Sequence, residues 1–454
     1  MPRGRVQRLA GAVSGEVLTS DDGRYDEARS TWNGRFDRRP ELIVRCRSAE
    51  DVRSCVGFAR QERLPLSVKG GGHAYAGQTV ADGGLLIDVS PMNQVEVDGQ
   101  ARTARVQAGA RLGDLDARTQ AVGLAASTGT VSTVGIAGLT LGGGSGWLSR
   151  MHGLAVDNLL AATVVTADGR IVRASASEHA DLFWALRGAG ANFGVVTSFE
   201  FRLHPLGPEV LSGQIVFPFD RAASVLRAWR EFMKEAEDEI QCYAFVLRIP
   251  PIPEFPHEAH GQIAVDLVLF HPDPSAQDVF RPLLDLEEPI LAFAVAQPYM
   301  QLQQTFDAGL PKGQRYESRS RDLAELPDEA IEAFVARIGD LPGEFTMAYI
   351  GANGGAIGRV DARATAFAGR RAPFAYHVLS GWTDRSRDGT IAGWTRDIHQ
   401  AMAPWDAGTV YVNLLGTDEQ ARVPAAYGDN YQRLVDLKRT WDPDNLFRTN
   451  HNIR

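Results

Sequence analysis

The chain has 454 residues, a formal net charge of -9, 44% hydrophobic residues and 23% charged residues. That length implies two or three domains with ample core, and the ordinary apolar content excludes a disordered or fibrous chain. The acidic balance argues against nucleic-acid binding, since no basic run follows the short N-terminal PRGRVQR. No apolar stretch is long enough to span a bilayer, and no apolar segment before a small-residue cleavage site marks a secretory signal. The cysteines are Cys46, Cys55 and Cys242. So sparse and odd a set makes no disulfide framework and fits a reducing compartment, so a soluble cytoplasmic protein is expected.

In chain order, Gly15 to Arg39 read as a polar entry segment, and Leu42 to Cys46 as a strand. Ser48 is a candidate N-cap for a helix with Val52, Val56 and Ala59 on one face. Leu66 to Val68, Leu85 to Val89 and Ala104 to Ala108 read as strands, and Leu112 to Val122 as an amphipathic helix. Leu159 to Thr166 and Ile171 to Ala174 form a hairpin pattern around Asp168-Gly169. Asp181 to Arg187 reads as a helix and Phe199 to Leu203 as a strand. The pattern shifts near Pro205 to Pro208. Beyond it, Val210 to Phe217, Cys242 to Ile249, Gln262 to Phe270, Phe345 to Ile350, Phe374 to Trp382 and Thr409 to Leu415 read as strands. Helices are expected over Ala222 to Ala236, Pro327 to Ile338, Ile391 to Met402 and Tyr427 to Thr440. This rhythm implies an α+β fold with an antiparallel sheet and covering helices.

Three glycine-rich stretches stand out: SVKGGGHAYAGQT (67–79), TVSTVGIAGLTLGGGSGWLSRMHGLAVD (130–157) and GAGANFGVVT (188–197). Glycine permits positive φ and close approach of a ligand to the backbone, and successive N–H groups in such turns make anion-binding concavities. Lys69 adds a positive charge. The third stretch is G-x-G-x-x-x-G after a helix, not a Rossmann fingerprint after a strand, and LGGGSG lacks the Lys-Ser/Thr ending of a nucleotide phosphate loop. His257 and His260, in the proline-rich loop 250–260, lack a third metal ligand, so no metal site is expected.

Together with the C-terminal YGDNYQRLVDLKRTWDPDNLFRTNHNI, these stretches resemble, in order and spacing, the covalent-flavin oxidases with a PCMH-type FAD domain. That group is the berberine bridge enzyme-like branch of the vanillyl-alcohol oxidase superfamily. The resemblance implies an FAD-binding domain over 1–206 (core about 38–206), a substrate domain over 207–415, and a return to the FAD domain over 416–454. It implies FAD contacts from Lys69, Gly70, Gly71, Gly72, His73 and Ala74. Further contacts are implied for Thr133, Val134, Gly135, Gly138, Gly142, Gly143, Asp157, Asn158, Gly190, Asn192, Gly194, Val195, Val196, Asn413, Asn450 and Asn452. His73 matches the histidine bonded to the flavin. Val131 stands where a second, cysteinyl tether would be, so attachment through His73 alone is expected. Val134 falls at the position that guards oxygen access, and valine there accompanies oxidases. Leu414 replaces the tyrosine that serves many relatives as base, in Tyr411-Val412-Asn413-Leu414. In a regular strand Tyr411 and Leu414 face opposite ways, so proton removal is expected from elsewhere. Tyr376 and His377 lead, and at most one of that pair faces the flavin; Tyr411, Tyr349 and Tyr316 are further candidates. The resemblance implies an oxidase of an alcohol or hemiacetal, with small-molecule substrate and O2 as partners and H2O2 as product. A cyclic amine substrate, a dehydrogenase and a non-catalytic flavin protein are the alternatives.

Overall fold

The computed structural model describes residues 1–253, 255–286 and 288–454. Glu254, inside the proline-rich loop, lies outside the described residues. Four short strands form the first sheet: β1 (Glu16–Leu18), β2 (Leu42–Arg45), β3 (Leu66–Lys69) and β4 (Leu85–Asp88), in the order β1-β2-β4-β3. β2 and β3 both run parallel to β4. All four residues of β4 are buried, as a strand covered on both faces requires. The helix Ala49–Glu62 starts where the cap predicts, with the Asp51 amide donating to Ser48 Oγ at 3.2 Å.

The second sheet is antiparallel: β5 (Val95–Asp98), β6 (Thr103–Gln107), β7 (Leu159–Val165), β8 (Ile171–Ser175) and β9 (Val195–Arg202), in the order β5-β6-β9-β7-β8. The β7–β8 hairpin turns at Asp168-Gly169, with Gly169 at φ +84°. Its amide donates to the Thr166 carbonyl at 2.9 Å.

The third sheet has seven antiparallel strands: β10 (Glu209–Pro218), β11 (Gln241–Arg248), β12 (Ile263–His271), β13 (Leu291–Pro298), β14 (Arg315–Leu323), β15 (Met347–Ala352) and β16 (Phe374–Trp382). Their order is β13-β10-β12-β11-β15-β16-β14. The helices Ala222–Glu235, Asp328–Ile338 and Asp388–Ala401 bury Trp229, Phe334 and Ile398 in a common core with Cys242, Ile350 and Tyr376 from one face of this sheet. Because side chains alternate, Phe245, Tyr349 and His377, aligned across β11, β15 and β16, point to the other face. That open face is turned toward the glycine-rich stretches of the first half.

Two of these strands escape a hydrophobicity reading. β13 is an exposed edge strand. β14 reads RYESRSRDL, yet it is nearly all buried. Its charges are satisfied internally: Arg319 pairs with Glu317 at 2.6 Å, and Arg35 also bonds Glu317. The strand expected over Thr409 to Leu415 does not form. Gly408 takes φ +79° and a 3-10 turn covers Val412–Leu414. Tyr411 and Leu414 therefore do not alternate across a strand to opposite faces, and both line one cavity.

Candidate active site

A cavity of about 400 Å³ runs between the open face of the third sheet and all three glycine-rich stretches. The stretches meet through bare backbone. A Cβ on Gly71 would come within 2.4 Å of Gly135 N, and one on Gly135 within 2.4 Å of Gly71 N. Gly142 leaves room for Asn413, whose Nδ2 donates to the Gly138 and Leu139 carbonyls at 3.2 and 3.1 Å. The backbone amides of residues 71–75 donate to no described residue. Five successive unpaired N–H groups leave this turn free to hold an anion.

His73 lies where this turn meets the cavity. Its Nε2 is 3.2 Å from Thr133 Oγ1, and its ring stacks on Trp32 with centroids 5.1 Å apart. Burial, with the charges of Arg111 and Lys312, pushes its pKa down to about 4, so the imidazole is neutral at pH 7.

Tyr75, Tyr349, His377 and Tyr411 line the same cavity, with the rings of Tyr75 and Tyr349 both against His377. Tyr411 Oη accepts from the Gly144 amide and from Asn413 Nδ2, both at 2.9 Å. Burial raises all three phenols: Tyr75 to about 12, Tyr349 well above its ordinary value, and Tyr411 upward. His377 is pushed down to about 3 by burial. Its Nε2 is 2.9 Å from Ser318 Oγ, which donates its own proton to the Leu414 carbonyl at 2.8 Å. Ser318 has one proton, and the carbonyl can only accept. His377 therefore donates from Nε2, and its Nδ1 keeps a lone pair.

Gly70 to Gly72, His73, Ala74, Val134, Gly135, Gly138, Gly142, Asn192, Gly194, Val195, Val196, Asn413 and Asn450 all line the cavity. Several expected contacts do not. Lys69 turns behind the glycine run, where its Nζ bonds the Ala28 carbonyl. It lines a polar cavity of about 570 Å³ with Thr133 and the reverse side of His73. Asp157 is drawn away by Arg370, at 2.7 Å, and Asn158 by the His152 and Leu154 carbonyls and His204. Gly143, at φ +140°, abuts Phe367 and Tyr411; Gly190 abuts Leu141. Asn452 is buried beside the wall. Tyr376 belongs to the helix-side core, with its hydroxyl 2.8 Å from His399 Nδ1. Tyr316 stacks on Trp32 and bonds the Pro311 carbonyl. Of the leading pair, His377 faces the cavity. Sequence reasoning missed Tyr75, Phe245 and Ser318; Tyr75, two residues after His73, was the one within reach.

The C-terminal tail closes the far end. Asn192 Nδ2 donates to the His451 carbonyl at 3.2 Å and its Oδ1 accepts the Ile453 amide at 3.0 Å. Asn450 Nδ2 bonds the Ala191 carbonyl at 2.7 Å, while its buried Oδ1 has no partner among the described residues.

These features define a flavin-binding class of protein, and comparison with known proteins gives the family. The model of the FAD binding domain matches residues 40–175, and that of the "berberine and berberine like" segment matches 410–454. An uncharacterized FAD-linked oxidoreductase of Bacillus subtilis (strain 168), YgaK, is 30% identical over 97% of this chain and 97% of its own length. The chain thus belongs to the FAD-linked oxidoreductases of the berberine bridge enzyme-like family, with the α+β, PCMH-type fold. The crystal structure of 6-hydroxy-D-nicotine oxidase from Arthrobacter nicotinovorans superposes with a TM-score of 0.87 at 30% identity, covering 97% of this chain and 98% of that one. Xylooligosaccharide oxidase from Myceliophthora thermophila gives 0.87 at 26%, covering 99% of each. The free amides of 71–75 and the orphaned Asn450 Oδ1 suit the phosphates and polar edges of FAD.

Proposed function

We propose that this FAD-linked oxidoreductase is an oxidase, with FAD tethered through His73 alone. It takes hydride from a small alcohol, hemiacetal or cyclic amine, and O2 returns the cofactor to its oxidised state with release of H2O2. When bound, FAD supplies the two-electron acceptor; the protein supplies position and electrostatics. The observation that carries the reading is His73. It is a neutral imidazole in the middle of a run of free amides, fixed by Thr133 and Trp32, facing a cavity whose far wall holds His377 and Tyr349.

The amides of 71–75 bind the phosphate end, and the tail residues Asn192 and Asn450 close the cavity. Val134 leaves a small side chain beside Gly135, consistent with an open path for oxygen. His377 Nδ1 is the acceptor available for a hydroxyl proton, since the facing phenols stay protonated at neutral pH. An unprotonated amine needs no such acceptor, because its lone pair assists hydride departure. Three cysteines in 454 residues, too few for a disulfide framework, support a reducing compartment, hence the cytoplasm.

Anaerobic mixing of the purified protein with a panel of alcohols, sugars and amines tests the reading. Bleaching of the flavin followed by rapid recovery in air, with peroxide, is expected. Bleaching with slow recovery would make it a dehydrogenase, and no bleaching by any of them a non-catalytic flavin protein.

A further inference from the structure

Tyr349, Tyr411 and Leu414 bound both the outer cavity and an inner chamber of about 120 Å³. A cavity of ~150 Å³ accepts a benzene-sized guest, so the chamber suits one compact group. Aromatic rings form much of its wall: Tyr243, Phe245, Tyr349, Phe367 and Tyr411. Among the described residues no lysine, arginine or histidine lines it. It does hold a carboxylate, Asp322, on the cavity-facing side of β14 and only 4% exposed. Asp322 Oδ2 accepts from Thr409 Oγ1 at 2.6 Å, and Oδ1 takes no hydrogen bond from any described residue. Among the described residues no cation pairs with it. Arg422, whose charge reaches it, is bonded to Glu419 at 2.6 Å and to the Ser320 carbonyl at 3.1 Å. Beside the carboxylate stands Gly369, where a Cβ would come within 2.5 Å of Oδ2; any side chain there would fill the space.

A buried carboxylate without a counter-charge is costly. The guest that best offsets the cost is a cation, and the ring faces attract the same guest. We propose that the inner chamber seats a cationic head group of the substrate, a substituted ammonium anchored by Asp322. A different carbon of the same molecule is then presented in the outer cavity. The nitrogen held at Asp322 has no free lone pair to assist hydride loss, so it is the handle and not the oxidised centre. Burial, with Asp406, raises the Asp322 carboxyl to about 6, against the lowering effects of Thr409 and Arg422, so it is ionised at neutral pH. The proposal rests on the oxidase reading only for which cavity is reactive.

The test is calorimetric titration of the oxidised holoenzyme with choline, with its neutral isostere 3,3-dimethylbutan-1-ol, and with sorbitol. Choline is expected to bind about 10- to 100-fold more tightly than the isostere, the range of a desolvated cation held against ring faces beside a carboxylate. Asp322→Asn, with flavin load and melting temperature checked, should erase the preference. Should that variant fail to fold, the wild type at pH 8 and pH 5 decides. Choline affinity should fall toward pH 5 as Asp322 takes up a proton, and isostere affinity should not. The facing phenols of Tyr243, Tyr349 and Tyr411 are pushed up, and His377 is already neutral above about 3, so none of them titrates in that window. Equal binding of choline and isostere, a preference surviving in Asp322→Asn, or tighter binding of sorbitol would overturn the proposal. Binding is read without turnover. A protein that holds choline through Asp322 but never bleaches its flavin would remove the oxidase reading and leave this one standing.

Discussion

Thr133 Oγ1 and His73 Nε2 lie 3.2 Å apart, joining the second glycine-rich stretch to the first across the line where Gly71 and Gly135 touch. The contact occupies Nε2 and leaves Nδ1 as the ring nitrogen not engaged by the threonine. Thr133→Val should slow flavin incorporation by about 2- to 10-fold, the worth of one hydrogen bond, while the final load stays covalent. Time-resolved incorporation into apoprotein measures this. An unchanged rate would show that Trp32 stacking alone orients the ring.

His377 and Ser318 make a second pair with a functional consequence. For an alcohol substrate, His377→Ala should lower the rate of flavin reduction about 10²–10⁴-fold, as loss of a positioned proton acceptor does. Ser318→Ala should give a smaller loss, and Tyr376→Phe almost none. The His377 pKa is lowered in the folded protein, so the ring is neutral everywhere above about pH 3. The reduction rate should therefore show no His377 titration between pH 5 and 9. Stopped-flow reduction checks each point; near-wild-type rates in His377→Ala would favour an amine that needs no acceptor.

Much of this was legible in the sequence because it rests on local chemistry. The glycine runs, the Ser48 cap and the Asp168-Gly169 turn act within a few residues. β14 was not legible, because Glu317 and Arg319 are tolerable in a buried strand only through partners such as Arg35, far away in sequence. The 409–415 segment misled because its apolar spacing suits a strand, whereas Gly408 and the contacts of Asn413 with the helix Ile136–Gly142 hold it in a turn. Asp157 and Lys69 sit in stretches that do reach the cavity, but Arg370 and the Ala28 carbonyl claim their charges. No sequence spacing records that.

Val134 carries the oxygen prediction. Val134→Leu should slow reoxidation of the reduced enzyme in air while leaving reduction by substrate nearly unchanged. Equal losses in both half-reactions would indicate a packing defect, since overfilling a core costs about 1–3 kcal/mol.

Asp116 predicts an acid-side stability effect. It is buried where the helix Leu112–Gln120 meets Gln303, whose Nε2 donates to Oδ2 at 2.9 Å, while Asp116 Oδ1 and Gln303 Oε1 have no partners among the described residues. Burial raises its carboxyl to about 7. The folded chain then holds a proton that the unfolded chain has lost, so this group's contribution to stability falls as pH rises from about 4 to 7. Asp116→Asn should remove that slope and stabilise the protein at pH 8 by about 1–3 kcal/mol, the cost of one unsatisfied buried group. Thermal melts at pH 5 and pH 8 measure both effects; a destabilised Asn variant at pH 8 would contradict the assignment.

Attachment of FAD through His73 alone is decided by the intact mass of the denatured holoenzyme. The polypeptide should be heavier by one FAD, a proteolytic fragment containing His73 should carry the flavin, and His73→Ala should have no covalent flavin at all. A denatured wild type at the mass of the bare chain, or flavin still bonded to the His73→Ala polypeptide, would contradict it.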